Sequence, residues 1–103
     1  MSEFSNQNEE INSGITADAS IELPPECDVV FYNDDYTTMQ FVVDVLVSVF
    51  NKSKENAEIL MHAVHEEGSA VVGRYTYDIA VSRTNITRSL AKKNGFPLRV
   101  EVE

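Results

Sequence analysis

The pattern of apolar and polar residues predicts a short strand followed by an amphipathic helix. Residues 28–32 are β-prone and precede a run of turn-forming residues. The next segment is rich in valine, which favours a strand by propensity. Its polar residues, however, recur every four positions, at Gln40, Asp44 and Ser48, and so form one solvent-facing stripe of a helix. Thr37 lies three residues before Gln40, which is the spacing of a capping box, and we expect Thr37 to cap this helix.

A second helix and a second strand follow. Ser53 has the position and chemistry of a helix cap, and Gly68 those of a helix stop. Because the second helix begins at Ser53, the first helix is expected to end near Phe50. The apolar face of the second helix is expected to consist of Ala57, Leu60, Met61 and Val64. Residues 70–75 are apolar and β-prone, which predicts a strand.

The remaining segment predicts a third helix and a third strand. The helix is expected to start at Thr76 and to stop at Gly95. Its expected inward face consists of Ile79, Ala80, Ile86 and Leu90. Residues 98–103 alternate apolar and charged side chains, as in a half-solvated edge strand. The order β-α-α-β-α-β predicts an α+β fold, in which a small three-stranded antiparallel sheet packs against three helices.

The acidic residues are unevenly distributed. The net charge of −9 comes from 17 acidic and 8 basic residues, and residues 1–22 hold five acids without any Lys or Arg. This balance argues against binding to nucleic acid or to an anionic membrane, because both require clustered basic residues. No apolar stretch is long enough to span a bilayer, and no targeting peptide is recognised at the N-terminus. We therefore expect a soluble intracellular protein.

The composition also predicts how the chain is divided. Residues 1–25 are expected to form a disordered acidic extension that ends in a proline-containing spacer, since Ser, Asn and Glu cannot bury enough apolar surface to offset the ordering entropy. Residues 26–103 are expected to form one folded domain, because the chain is too short for two.

Candidate chemistry is confined to two polar clusters. The usual enzyme motifs are absent, and the single cysteine, Cys27, allows neither an internal disulfide nor a Cys-based metal site. The first cluster, residues 33–37, can be ordinary turn and cap chemistry or a polar receptor for a cation. In the second cluster, His62 and His65 share a helix face. They can ligate a metal together with Asp carboxylates of the first cluster, or His65 can line a groove while His62 faces solvent.

The two clusters, in this order, resemble the ClpS family, the adaptors of the bacterial Clp AAA+ protease. The matching segments are Pro24-Pro25, Asn33-Asp34-Asp35-Tyr36-Thr37, Met39-x-Phe41-Val42, Leu60-Met61, Ala63-Val64-His65, Gly68 and Pro97-Leu98. The resemblance covers essentially all of the expected domain. It implies a protein without enzymatic activity or cofactor, which binds N-degron proteins through a free α-amino group and a bulky first residue (Leu, Phe, Tyr or Trp). It further implies delivery to a Clp AAA+ unfoldase, of the ClpA or ClpC type, in the bacterial cytoplasm.

The resemblance implies a role for each matching residue. Asn33, Asp34 and His65 would bind the α-amino group of the degron. Asp35 and Thr37 would shape the rim and contact the peptide backbone. The pocket for the first side chain would be lined by Met39, Val42, Met61, Val64 and Leu98.

The surface that docks on the unfoldase is expected to include Asp78 and Arg83. The chain differs from the family pattern around it, at Tyr77 and Val81, and also at Thr38, which replaces a usual proline at the start of the first helix. That last replacement is expected to loosen the helix start slightly.

Two other functions remain open at this point. One is a small metal-dependent hydrolase that uses Asp34, Asp35, His62 and His65. The other is a plain assembly domain that docks its helix faces on a larger complex and has no ligand pocket.

Overall fold

The structure, a computed structural model, describes residues 23–103 and contains three strands and three helices. The elements are, in chain order, β1 (Glu26–Tyr32), α1 (Met39–Ser48), α2 (Lys54–Glu67), β2 (Ser69–Thr76), α3 (Tyr77–Lys93) and β3 (Arg99–Val102). The predicted element order and the α+β class are confirmed. The disordered arm expected at residues 1–22 lies outside the described residues. Within residues 23–103, no helix is both long enough and apolar enough to cross a membrane.

β1 is the central strand of a three-stranded antiparallel sheet, in the order β2-β1-β3. Phe31 aligns with Ala70 of β2 on one side and with Val100 of β3 on the other. β3 is an edge strand, as its alternating pattern predicts: Val100 is buried, whereas Arg99 is exposed. The helices supply the cover that the inner face of such a sheet requires.

The core lies between the inner face of the sheet and the helices. Val29 and Phe31 of β1 are fully buried there, together with Leu46 of α1. Phe50, just after α1, contacts Phe31 edge to face, with ring centroids 5.6 Å apart. This packing holds the end of β1, and the loop that follows it, against α1 and α2.

The start of α1 differs from the prediction by one residue. Thr38, not Thr37, is the N-cap, and its hydroxyl oxygen accepts a hydrogen bond from the Phe41 N–H at 3.1 Å. The Thr37 hydroxyl instead donates to Asp34, and the Gln40 side chain donates to Asp44. The predicted capping box is therefore wrong. Thr38 is the N-cap and not the first helical residue, so the expectation based on a proline missing from the first helical position does not apply to it.

The other predicted features of α1 and α2 are mostly confirmed. The polar stripe of α1 is exposed, although the helix ends at Ser48, before Phe50. Ser53 caps α2 by accepting from the Asn56 N–H at 3.1 Å. Gly68 ends α2 with a φ of 91°, a left-handed conformation that glycine adopts without a Cβ clash.

α3 turns a different face to the sheet than its hydrophobicity predicts. Its buried residues are Ala80, Thr84, Thr87 and Ala91. Ile79 and Ile86, expected inside, are 44% and 48% exposed. Small side chains let the helix approach all three strands closely. A buried threonine is tolerated in a helix when its hydroxyl bonds a preceding carbonyl, as Thr87 does with the Arg83 oxygen at 2.9 Å.

Candidate binding pocket

A cavity of about 390 Å³ opens between the loop that joins β1 to α1 and the second half of α2. Its volume is typical of sites that hold a small molecule or a single side chain. The loop follows the buried end of β1, and its first N–H, that of Asn33, donates to the Gly68 oxygen at the end of α2 at 2.9 Å. This bond fixes the loop beside α2, so that residues far apart in the sequence face one space.

The polar residues of the lining, named here the polar wall, include all the residues predicted for the α-amino group and the rim. These are Asn33, Asp34, Asp35, Thr37 and His65. His65 is exposed and comes from the last turns of α2, whereas the other four come from the loop. The wall therefore combines amide and carboxylate oxygens with an imidazole, all of which can accept hydrogen bonds.

The carboxylate of Asp34 holds the loop in shape. Its Oδ1 accepts from the N–H groups of Tyr36 and Thr37, each at 2.7 Å, and its Oδ2 accepts from the Thr37 hydroxyl at 2.7 Å. Partial burial alone raises the pKa of Asp34, but the hydrogen bonds from Thr37 and Tyr36 outweigh it, and the pKa lies below its ordinary value of 3.8. Asp34 is thus ionised at neutral pH, and it gives the wall a fixed negative charge.

The helices also contribute apolar residues to the lining. Val42 of α1 and Met61 and Val64 of α2 are buried beneath it. Met39, the first residue of α1, also lines the cavity but is 46% exposed. Methionine side chains are unbranched and polarizable, so this surface can adapt to apolar groups of different shape.

Some predicted site residues lie elsewhere. Leu98 is buried in the core and is not part of the cavity lining. Asp78 is exposed in the first turn of α3, and the Arg83 guanidinium lies over the Tyr75 ring, 5.2 Å from its centroid. Neither belongs to the cavity lining. His62 is exposed and also outside the lining.

Two lining residues, Tyr36 and Thr38, were not assigned a role from the sequence. Tyr36 lies inside the matching motif and is 76% exposed, which is unusual for a large aromatic side chain. Thr38 was considered only as a helix-start residue. Thr38 lies between Thr37 and Met39, two residues with predicted roles, and this position indicates that it can line the same cavity.

The metal-site hypothesis has no geometric basis in the described part of the chain. Within residues 23–103, no group of three or more His, Cys, Asp or Glu side chains is arranged to hold a metal ion. In particular, His62 does not join Asp34, Asp35 and His65 at the cavity.

Comparison with known proteins decides the family. The family model described as ATP-dependent Clp protease adaptor protein ClpS matches residues 22–101. The chain belongs to the ClpS family. A ClpS adapter protein from Treponema denticola is 51% identical over 80 residues, which cover 78% of this chain and 79% of that protein. The ClpS adapter protein of Desulforapulum autotrophicum is 46% identical over 80 residues, covering 78% and 77% of the two chains.

A solved structure supports the same assignment. ClpS2 of Agrobacterium tumefaciens, bound to L-phenylalaninamide, is similar with a TM-score of 0.75 and 38% sequence identity. The match covers 79% of this chain and 98% of that one. The resemblance to ClpS seen in the sequence motifs is therefore confirmed, and the protein is an adaptor of the Clp protease.

Proposed function

We propose that this ClpS adaptor binds proteins that begin with Leu, Phe, Tyr or Trp, through their free α-amino group and first side chain, and delivers them to a Clp AAA+ unfoldase. The observation that carries the proposal is a cavity whose lining combines an acceptor-rich set of residues with a Met/Val set. Such a cavity matches a residue that is cationic at one end and apolar at the other. The ligand of ClpS2, L-phenylalaninamide, has both features.

The polar wall suits an ammonium group. A free α-amino group titrates near pH ~7.7–8.0 and is mostly cationic at neutral pH. Asn33 and His65 offer acceptors, while Asp34 and Asp35 supply negative charge. Because the Asp34 oxygens already hold the loop, we assign Asp34 to the charge of the site more than to direct contact. The nitrogen of an internal or acetylated residue is an amide without positive charge, so such a residue should not bind.

The apolar side accounts for a preference for bulky first residues. Burying one Leu or Phe side chain is worth roughly 1.5–3 kcal/mol. Two or three charge-assisted hydrogen bonds contribute about 1.5–3 kcal/mol each. A micromolar Kd corresponds to about 8 kcal/mol, which these contributions must exceed by the cost of ordering the ligand. Affinity of this size allows the adaptor to release its cargo.

Delivery would use a second surface at the start of α3. Asp78 and Arg83 provide charges there, and Tyr77 and Ile79 are 56% and 44% exposed beside them. Exposed apolar side chains next to charges are typical of a protein-docking surface. An unfoldase of the ClpA or ClpC type, in the bacterial cytoplasm, is the partner we propose for this surface.

A fluorescence titration tests the recognition step. A labelled peptide that begins with Leu should bind with a micromolar Kd, and its N-acetylated form should bind at least about tenfold more weakly, the loss of one charge-assisted hydrogen bond. His65→Ala should weaken binding of the free peptide, whereas His62→Ala, a matched change outside the cavity, should not. Equal affinity for the free and the acetylated peptide would contradict the proposal.

A further inference from the structure

Thr38 lies in the cavity lining without an assigned role. Its backbone is extended, with φ −73° and ψ 150°, and its side chain is the N-cap of α1. The hydroxyl oxygen accepts from the Phe41 N–H at 3.1 Å, and the Thr38 carbonyl accepts from the Val42 N–H at 3.2 Å. These two bonds fix the position of the hydroxyl oxygen at the cavity.

The hydroxyl of Thr38 still has a proton to donate. A threonine hydroxyl carries one donor and two acceptor lone pairs, and the bond from Phe41 uses only a lone pair. Within residues 23–103, the Thr38 hydroxyl donates to no other group. Thr37 differs, because both its N–H and its hydroxyl already donate to Asp34. The Tyr36 N–H is likewise engaged by Asp34.

A bound degron needs a donor at this place. The α-amino nitrogen and the first carbonyl carbon are attached to the same Cα, so the carbonyl oxygen must lie close to the polar wall when the ammonium does. Asp34 and Asp35 are acceptors only and cannot bond a carbonyl oxygen, so the side-chain donors near them are the Thr38 hydroxyl and the amide of Asn33, whose oxygen is assigned to the ammonium. A carbonyl that loses its water without gaining a donor is costly.

We propose that the Thr38 hydroxyl donates a hydrogen bond to the carbonyl oxygen of the first degron residue. This inference rests on the proposed function. Thr38 is then a binding residue that contacts the first carbonyl of the peptide backbone, whereas Thr37 stabilises the loop. Selectivity for a true N-terminal residue then depends on two neighbouring groups of the ligand, the ammonium and the carbonyl.

A comparison of two small ligands isolates this bond. L-phenylalaninamide and 2-phenylethylamine both carry a cationic amine and a phenyl ring, but only the first has a carbonyl group. Each is titrated against the full chain loaded with the labelled Leu peptide, and the ratio of their affinities is measured. In Thr38→Val this ratio should fall about 3- to 10-fold relative to the unmodified protein, the range of one hydrogen bond. Thr38→Ser keeps the hydroxyl and should retain the ratio.

Two further variants separate the contact from helix capping. Thr38→Asp keeps a capping oxygen but has no donor at neutral pH, so the ratio should fall again. Ser53→Ala removes the equivalent cap of α2, which accepts at the same 3.1 Å distance but lies outside the cavity, and should leave the ratio unchanged. If both Thr38→Val and Thr38→Asp keep the affinity ratio of the unmodified protein, the role of Thr38 is wrong, while the proposed function is unaffected. If neither small ligand displaces the peptide from the unmodified protein, the proposed function is wrong and this inference falls with it.

Discussion

Replacement of Asp34 by alanine should destabilise the domain by about 2 kcal/mol. The change removes the acceptor of three hydrogen bonds, from the N–H groups of Tyr36 and Thr37 and from the Thr37 hydroxyl. We take each bond at about 0.5–1 kcal/mol, the lower part of the usual range, because water can reach the freed donors of this loop. Asp34→Asn keeps an oxygen for the two backbone bonds and should lose roughly half as much.

Urea unfolding, followed by circular dichroism, measures this effect. With a slope of about 1 kcal/mol per M for a small domain, the midpoint of Asp34→Ala should fall by roughly 2 M at pH 7. Asp35→Ala is the matched control: it removes the same charge from the next residue of the loop, and the Asp35 side chain holds no hydrogen bond among the described residues. Its midpoint should change little.

The effect should also depend on pH. The pKa of Asp34 is lower in the folded protein than its ordinary value of 3.8, so the unfolded chain binds a proton first as the pH falls. The stabilisation by Asp34 is therefore complete above about pH 4 to 5, and is lost as the pH falls through the folded-state pKa. The difference in unfolding free energy between the unmodified protein and Asp34→Ala should shrink below about pH 4. A difference that stays constant down to pH 2.5, or an Asp34→Ala variant as stable as Asp35→Ala, would refute this account of the loop.

Three other changes test the rest of the structure. Met39→Ala should narrow the preference for Leu over Ile as first residue in peptide titrations. Met39 is exposed beside the proposed amine site, where a β-branched first residue is widest. An unchanged preference would argue against a role of Met39 in excluding β-branched residues. Thr84→Val should raise the Tm by about 4–8 °C, since the buried Thr84 hydroxyl has no hydrogen-bond partner within residues 23–103. Thr87→Val should lower the Tm, because it breaks a hydrogen bond to a backbone carbonyl. The reverse order of the two Tm values would contradict the assignment of the two hydroxyls. Deletion of residues 1–22 should leave peptide affinity nearly unchanged and abolish degradation of an N-degron substrate by the matching protease, and loss of peptide binding instead would make this segment part of the receptor.

The loop motif illustrates how far resemblance to a family can predict a site. Asn33, Asp34 and His65 were expected to act together, and the structure places all three on one cavity wall. Leu98 was expected in the same pocket but lies in the core, and Thr38 was considered only for its effect on the helix. The motif predicts which loop and which helix meet, whereas the identity of each lining residue depends on how they pack.

The sequence by itself determined the features that depend on neighbouring residues. Ser53 caps α2 through the N–H three residues later, and Gly68 ends it because glycine accepts a positive φ. The polar stripe of α1 likewise follows from helical periodicity alone. These interactions are local, so they are nearly independent of the rest of the fold.

Only the tertiary structure decided which face of α3 is buried. Ile79 is more apolar than Thr84, yet α3 packs against the sheet through its small side chains, and Ile79 stays exposed. The choice of face is made by the three strands that the folded chain brings into contact with α3, and the hydrophobicity of the helix alone does not predict it.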